Sequence, residues 1–198
     1  MYIFHPQWLV QRNVIDEGTE IGIETNVRQP GFRFRLPKFQ ARLHVAPTQL
    51  VVESQDPSFN CGEVVAKALE KLPETPVFAL GNNAFYKAEP SEAENLSPAI
   101  REFPLAKPPS PTQSLSQRTF HAAIKRGEHE IVNVQIALKD DLIELACNVH
   151  TELESRPRPS EAAAIAARRF FNDRMEAQSL AQHYFGALTP DAPDHARI

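Results

Sequence analysis

Ile131-Val-Asn-Val-Gln-Ile-Ala-Leu-Lys-Asp-Asp-Leu-Ile-Glu-Leu145 holds a strand, a turn and the start of a returning strand. Val132, Val134, Ile136 and Leu138 alternate with their neighbours. They therefore share one face of a β-strand, whose successive side chains point to opposite sides. Lys139-Asp-Asp141 supplies turn chemistry, which accounts for the adjacent carboxylates without an acid–base role. Upstream, Thr119–Lys125 reads as a strand and Arg126-Gly-Glu128 as the turn that joins it. The three strands make an antiparallel meander.

The first half of the chain carries the same order. Phe32, Phe34 and Leu36 lie on one face of a strand, with Arg33 and Arg35 on the other. Phe39–Val45 continues as a strand, Ala46-Pro-Thr-Gln49 turns, and Leu50–Glu53 returns. Ile21–Val27 is a weaker strand, followed by a turn signal at Gln29-Pro-Gly31. Leu43-x-Val45-Ala46 aligns with Val134-x-Ile136-Ala137, and Leu50-Val51 with Leu142-Ile143. This self-similarity points to duplication of one unit.

Each hairpin leads to a helix. Asn60 caps the first, and Glu63 completes a capping box. Its apolar face is Val64, Val65, Ala68, Leu69 and Leu72, and Pro73 stops it. Pro76–Lys87 reads as a strand bent at Gly81-Asn-Asn83. The bend could also expose backbone donors to an anion. The second helix opens at Pro159-Ser-Glu161 with Ser160 as its cap. It runs to Phe185, with a break near Asn172-Asp173 and Gly186 as the C-terminal stop. From Thr189 onward the chain reads as a frayed tail.

Pro90, Pro98, Pro104, Pro108, Pro109 and Pro111 crowd the middle of the chain, with a short helical turn near Ala99–Phe103. Residues 90–115 therefore read as a connector, since proline removes a backbone donor and disfavours helix before it. The expectation is an α+β protein of two similar strand-strand-strand-helix halves, 1–89 and 116–198. The strands form two small antiparallel sheets or one continuous sheet, with helices packed on one face.

Composition narrows the function classes. Hydrophobic residues make up 42% of the 198 and charged residues 23%, enough apolar material for a core. A net charge of −4 gives no bulk attraction to nucleic acid. No apolar run is long enough to span a bilayer, and the first residues lack a secretory pattern. Cys61 and Cys147 form no CxxC pair and no disulfide framework, which suits buried thiols in a reducing cytoplasm. No GxGxxG, P-loop or GxSxG occurs, and no cofactor is expected.

Leu43-x-Val45-x-Pro47-x-x-Leu50-x-Val52-Glu53, then Phe59, then Leu72-Pro73-x-Thr75-Pro76-Val77-x-Ala79-Leu80-Gly81-x-Asn83 form a further pattern. This stretch, residues 43–87, resembles a sporadically distributed family of uncharacterised bacterial proteins. The resemblance implies a bacterial cytoplasmic origin and brings no activity with it.

Three constellations are candidates for chemistry. His121 and His129 flank a hairpin turn taken as centred on Lys125. Facing each other there, they would need only His150 or Glu152 to hold a metal. Surface histidines explain the same residues. Arg28, Arg33, Arg35, Lys38 and Arg42 gather near Phe32, Phe34 and Phe39, as in faces that bind single-stranded nucleic acid. Alternation, however, places the phenylalanines opposite the arginines. The final helix offers Ile165, Phe170, Phe171, Leu180, Tyr184 and Phe185, more apolar surface than a small sheet covers. Phe171, Tyr184 and Phe185 are the expected homodimer contacts. The reading that results is a non-enzymatic binding or assembly module. An enzyme with a site between the halves and nucleic-acid binding through Arg33 and Arg35 remain the alternatives.

Overall fold

The structure, a computed structural model, describes residues 4–24, 31–89, 96–97, 100, 117–139 and 142–185, the side chains of 184 and 185 excepted. The turn before Gly31, the connector but for three residues, Asp140-Asp141, Gly186 and the tail lie outside the described residues. The chain is α+β, with two four-stranded antiparallel sheets and four α-helices among the described residues.

The first sheet takes the order β1 (Gly22–Glu24), β2 (Phe32–Leu36), β3 (Ala41–Ala46), β4 (Gln49–Ser54). Phe34 pairs with Leu43 and Leu43 with Val52, so one face is a continuous apolar layer. A 3₁₀ turn at Pro37–Phe39 and a left-handed Gln40 (φ 45) interrupt the expected strand before Ala41. Proline fixes φ near the helical value at the start of that turn. Ser54 closes the corner, donating to the Phe39 carbonyl at 2.7 Å.

Helix α1 (Pro6–Gln11) covers this layer with Leu9, 1% exposed, and α2 (Cys61–Glu70) with Val64 and Ala68. Asn60 accepts from the Glu63 N–H at 3.1 Å, the first arm of the expected capping box. The opposite face of α2 is also buried, through Ala66 and Leu69. Its neighbour there is α3 (Pro159–Arg168), through Ala163, Ala164 and Ala167.

The second sheet takes the order β5-β8-β7-β6, from β5 (Ala79–Ala88), β6 (Gln117–Lys125), β7 (Glu130–Lys139) and β8 (Ile143–Glu152). Its core holds Val132, Val134, Ile136, Leu145 and Val149, with Ala177 and Ala181 of α4 (Phe170–Phe185). β5 runs unbroken through Gly81, where a bend was expected. The glycine serves a side chain instead, because a Cβ there would lie 3.0 Å from Asn148 Nδ2.

The meander followed by a helix thus occurs twice, as β2-β3-β4-α2 and β6-β7-β8-α3. The fourth strands differ, since β1 flanks β2 while β5 flanks β8. The chain falls into two compact units that interleave in sequence: residues 1–80 with 151–171, and 81–150 with 172–198. Helix α3, expected to cover the second meander, is part of the first unit.

Close packing explains that assignment. A Cβ on Gly62 would lie 2.0 Å from the Ala167 carbonyl and 2.6 Å from Phe170 Cβ, so α2 and α3 meet backbone to backbone. Ser160, 0% exposed, does not cap its own helix; Arg158 holds that position with φ 54. The Ser160 hydroxyl instead lies 3.1 Å from the carbonyls of both Leu69 and Leu72. It thereby adds a second donor to carbonyls that already accept from Leu72 N–H and Thr75 N–H at the C-terminal end of α2 and just beyond it. The helical break falls at Arg169, three residues before the expected Asn172.

Candidate functional site

The uncovered face of the first sheet is ionic. Strand alternation turns Arg33, Arg35, Arg42 and His44 away from the core that buries Phe34, Leu36 and Leu43. Antiparallel register then sets them in two rows. Glu24, Arg33, His44 and Val51 stand opposite one another across the four strands, and Gly22, Arg35, Arg42 and Glu53 form the next row.

Arg35 and Arg42 are therefore direct cross-strand partners, an arrangement that destabilises a sheet when charges are alike. Arg35 turns to the Glu24 carboxylate, and Arg42 reaches Glu53 at 3.9 Å. The Arg42–Glu53 pair is solvent-exposed and stabilises little, whereas Glu24 is half-buried. A shallow cavity of about 170 Å³ opens on this face, walled by Glu24, Arg33, Arg42, His44, Val51 and Glu53. Three guanidinium groups against two carboxylates leave the face positive. Lys38 sits off it, with its ammonium 5.4 Å from the centre of the Phe39 ring.

The uncovered face of the second sheet carries a row of amides. Asn148 Nδ2 donates to Asn83 Oδ1 at 2.8 Å, and Asn133 Nδ2 donates to Asn148 Oδ1 at 3.1 Å. His121 Nε2 lies 3.3 Å from Asn133 Oδ1, so the row crosses all four strands. Lys139 and Lys87 bracket Glu144 on the same face, at 2.5 and 3.8 Å. The Lys139 bond holds the Glu144 carboxyl below its usual range despite slight desolvation.

The candidate metal set His121, His129, His150 and Glu152 does not assemble. Lys125 pairs with Ile131 and His121 with Gln135, so the turn lies beyond Lys125 and His129 falls inside it. His129 lies 3.7 Å from Glu128 there, and His121 belongs to the amide row. His150 and Glu152 follow two apart on β8. Among the described residues, no three His, Cys, Asp or Glu side chains stand where they could share a metal ion.

One buried ionic cluster remains. Asp173, 2% exposed on α4, accepts from Asn82 at 2.7 Å and from Arg126 at 2.8 Å. Arg126 also bonds Glu130 at 2.8 Å and Glu176. Burial alone would lower the guanidinium pKa, but its bonds to Asp173 and Glu130 outweigh this and raise it. The cluster ties the β6–β7 turn and β5 to α4. Burial in the same unit pushes the Cys147 thiol up to about 12 and, against Arg174, the Tyr86 phenol to about 12. A thiol held protonated is a poor nucleophile.

Of the expected interface residues, Phe171 is half-buried with its ring 5.7 Å from that of Phe170, while the side chains of Tyr184 and Phe185 lie outside the described residues. The core face of α4 is built from Asp173, Ala177 and Ala181, with Leu180 beside them, and Met175 is 56% exposed. No helix among the described residues is long and apolar enough to cross a membrane. No family model, no curated protein and no solved structure matches the chain.

Proposed function

We propose that the protein is a non-catalytic binding module of the bacterial cytoplasm, acting as a homodimer, that docks an acidic segment of a partner protein on the open face of its first sheet. The observation that carries this reading is the juxtaposition of Arg35 and Arg42 beside Arg33 and His44. Like charges set directly opposite cost sheet stability, and such local violations concentrate where function compensates for them. Guanidinium groups present fork-shaped donors that match carboxylates two bonds at a time.

A peptide fits the face better than a nucleic acid does. Phe34 is 1% exposed on the opposite side, and Phe32 stacks on it with ring centroids 6.3 Å apart. No phenylalanine of β2 is therefore turned to the arginine face, where bases would stack. Val51, 38% exposed at the cavity edge, offers apolar contact between the charges.

Calorimetric titration with a glutamate-rich dodecapeptide tests the proposal. Binding should weaken by about tenfold or more in Arg33→Glu/Arg42→Glu, and should weaken as salt rises, since exposed charges are screened. An unaffected variant, or preference for single-stranded DNA over the peptide, overturns it. Light scattering at roughly 50 μM tests the homodimer separately, and a monomer there ends that part of the reading.

A further inference from the structure

We infer that the amide row on the open face of the second sheet is a binding platform for a neutral, hydroxyl-rich ligand, an oligosaccharide chain. The row stands against β-propensity. Asparagine is depleted in strands, yet Asn83, Asn148 and Asn133 occupy three adjoining strands in one line. Gly81, also unfavourable in a strand, leaves Asn148 its place, because a Cβ would come within 3.0 Å of the Asn148 amide. Four unfavourable choices meet in one structure, and the hydrogen bonds among the amides fix their orientation.

The chemistry of the row selects the ligand. Each bridging amide spends one N–H and its carbonyl on its neighbours and keeps a second N–H, while carbonyl oxygens retain a second lone pair. Mixed donors and acceptors without formal charge suit hydroxyl groups, which both donate and accept. Gln135 and Thr119, both exposed on the same face, extend this neutral band. Phe85, 50% exposed, lies two residues beyond Asn83 on the same side of β5 and presents an apolar plate for the C–H face of a sugar ring. Four strands at their usual spacing make the row about 14 Å long, room for several rings in line. The charged trio of Lys87, Glu144 and Lys139 borders the band.

Calorimetric titration of the full chain with cellohexaose, maltohexaose and chitohexaose, each up to about 5 mM, tests the inference. At least one should bind. Phe85→Ala and Asn148→Ala should each weaken that binding about tenfold, with unchanged circular dichroism. The affinity should hold constant between low and high salt, because no charge is involved. Phe85→Ala is exposed and keeps the test meaningful if Asn148→Ala fails to fold. No binding by any of the three sugars overturns the inference. So does binding undiminished in Phe85→Ala, or binding that salt abolishes. The arginine-face variant Arg33→Glu/Arg42→Glu should bind the sugar as the parent does, so failure of the acidic-peptide reading leaves this result readable.

Discussion

Helix α2 in the first unit and the part of α4 from Asn172 onward in the second are docked by different means. Against α3, α2 uses small residues: Gly62 and Ala66 meet Ala163, Ala164 and Ala167, and one hydroxyl, Ser160, closes the end. In the second unit α4 also turns small residues inward, Ala177 and Ala181, but its N-terminal turn carries Asp173 into the core, where Arg126 and Asn82 receive it. Apolar close packing tolerates no added atom and ignores pH. A buried ion pair tolerates shape changes better but fails when either charge is lost. The two units should accordingly break under different insults.

The largest effect should come from Arg126→Met. It leaves Asp173 buried without its cation, a loss of about 3–5 kcal/mol. Urea unfolding should show the drop, and amide exchange should rise across β5–β8 while α2 and α3 keep their protection. Adding Asp173→Asn should recover much of the loss. A loss under ~1 kcal/mol for the single variant would mean that the cluster is merely a surface network.

High pH should come next. Cys147 and Tyr86 are acids whose folded pKa values lie above their ordinary values of 9.0 and 10.0, both near 12. For such a group the stabilisation is complete below the unfolded pKa and is lost as pH rises towards the folded one. The second unit should thus weaken between pH 9 and 12, by about 4 kcal/mol at most for the thiol. Cys147→Val should flatten that dependence. An unchanged slope, followed by fluorescence-detected urea unfolding at successive pH values, would show that other groups govern it.

Gly62→Ala should cost the first unit about 2–3 kcal/mol, because the new methyl meets backbone rather than a yielding side chain. Gly127→Ala is the contrast. Nothing lies within 4 Å of its Cβ, so only the left-handed φ of 77 opposes it, at about 1 kcal/mol. Equal losses at the two glycines would argue against the close α2–α3 approach. Smallest of the set, Ser160→Ala should cost about 1 kcal/mol, read as faster exchange at the end of α2. Exchange altered only at the start of α3 would return Ser160 to an ordinary capping role.

What was legible in the sequence is what periodicity encodes. Alternation in Phe32–Leu36 and Ile131–Leu138 located β2 and β7, and Asn60 with Glu63 located the start of α2. Helix α1 was overlooked, although His5 before Pro6 is its signal: the ring Nδ1 accepts from Trp8 N–H at 3.2 Å. The pairing of α3 with α2 was not legible, because Ala163 and Ala167 read alike whichever helix they meet. The arginine face followed from alternation alone. The amide row did not, since it needs the order of four strands, and Gly81-Asn-Asn83 read in isolation suggests a bend. A turn centred on Lys125 would set His129 opposite His121, but Lys125 is itself paired with Ile131, which leaves His129 inside the turn.

The interleaving of the two units sets a timetable for synthesis. Helix α2 is complete at Glu70, but the alanines it packs against arrive only with α3, which ends at Arg168. A ribosome adding residues at ~5–20 per second needs on the order of 5–20 s for the intervening stretch. Throughout that interval the nascent chain carries Gly62, Ala66 and Leu69 as an uncovered groove, and the Leu69 and Leu72 carbonyls lack the Ser160 hydroxyl. The first unit, though it holds the start of the chain, cannot close before the second unit's four strands have all emerged.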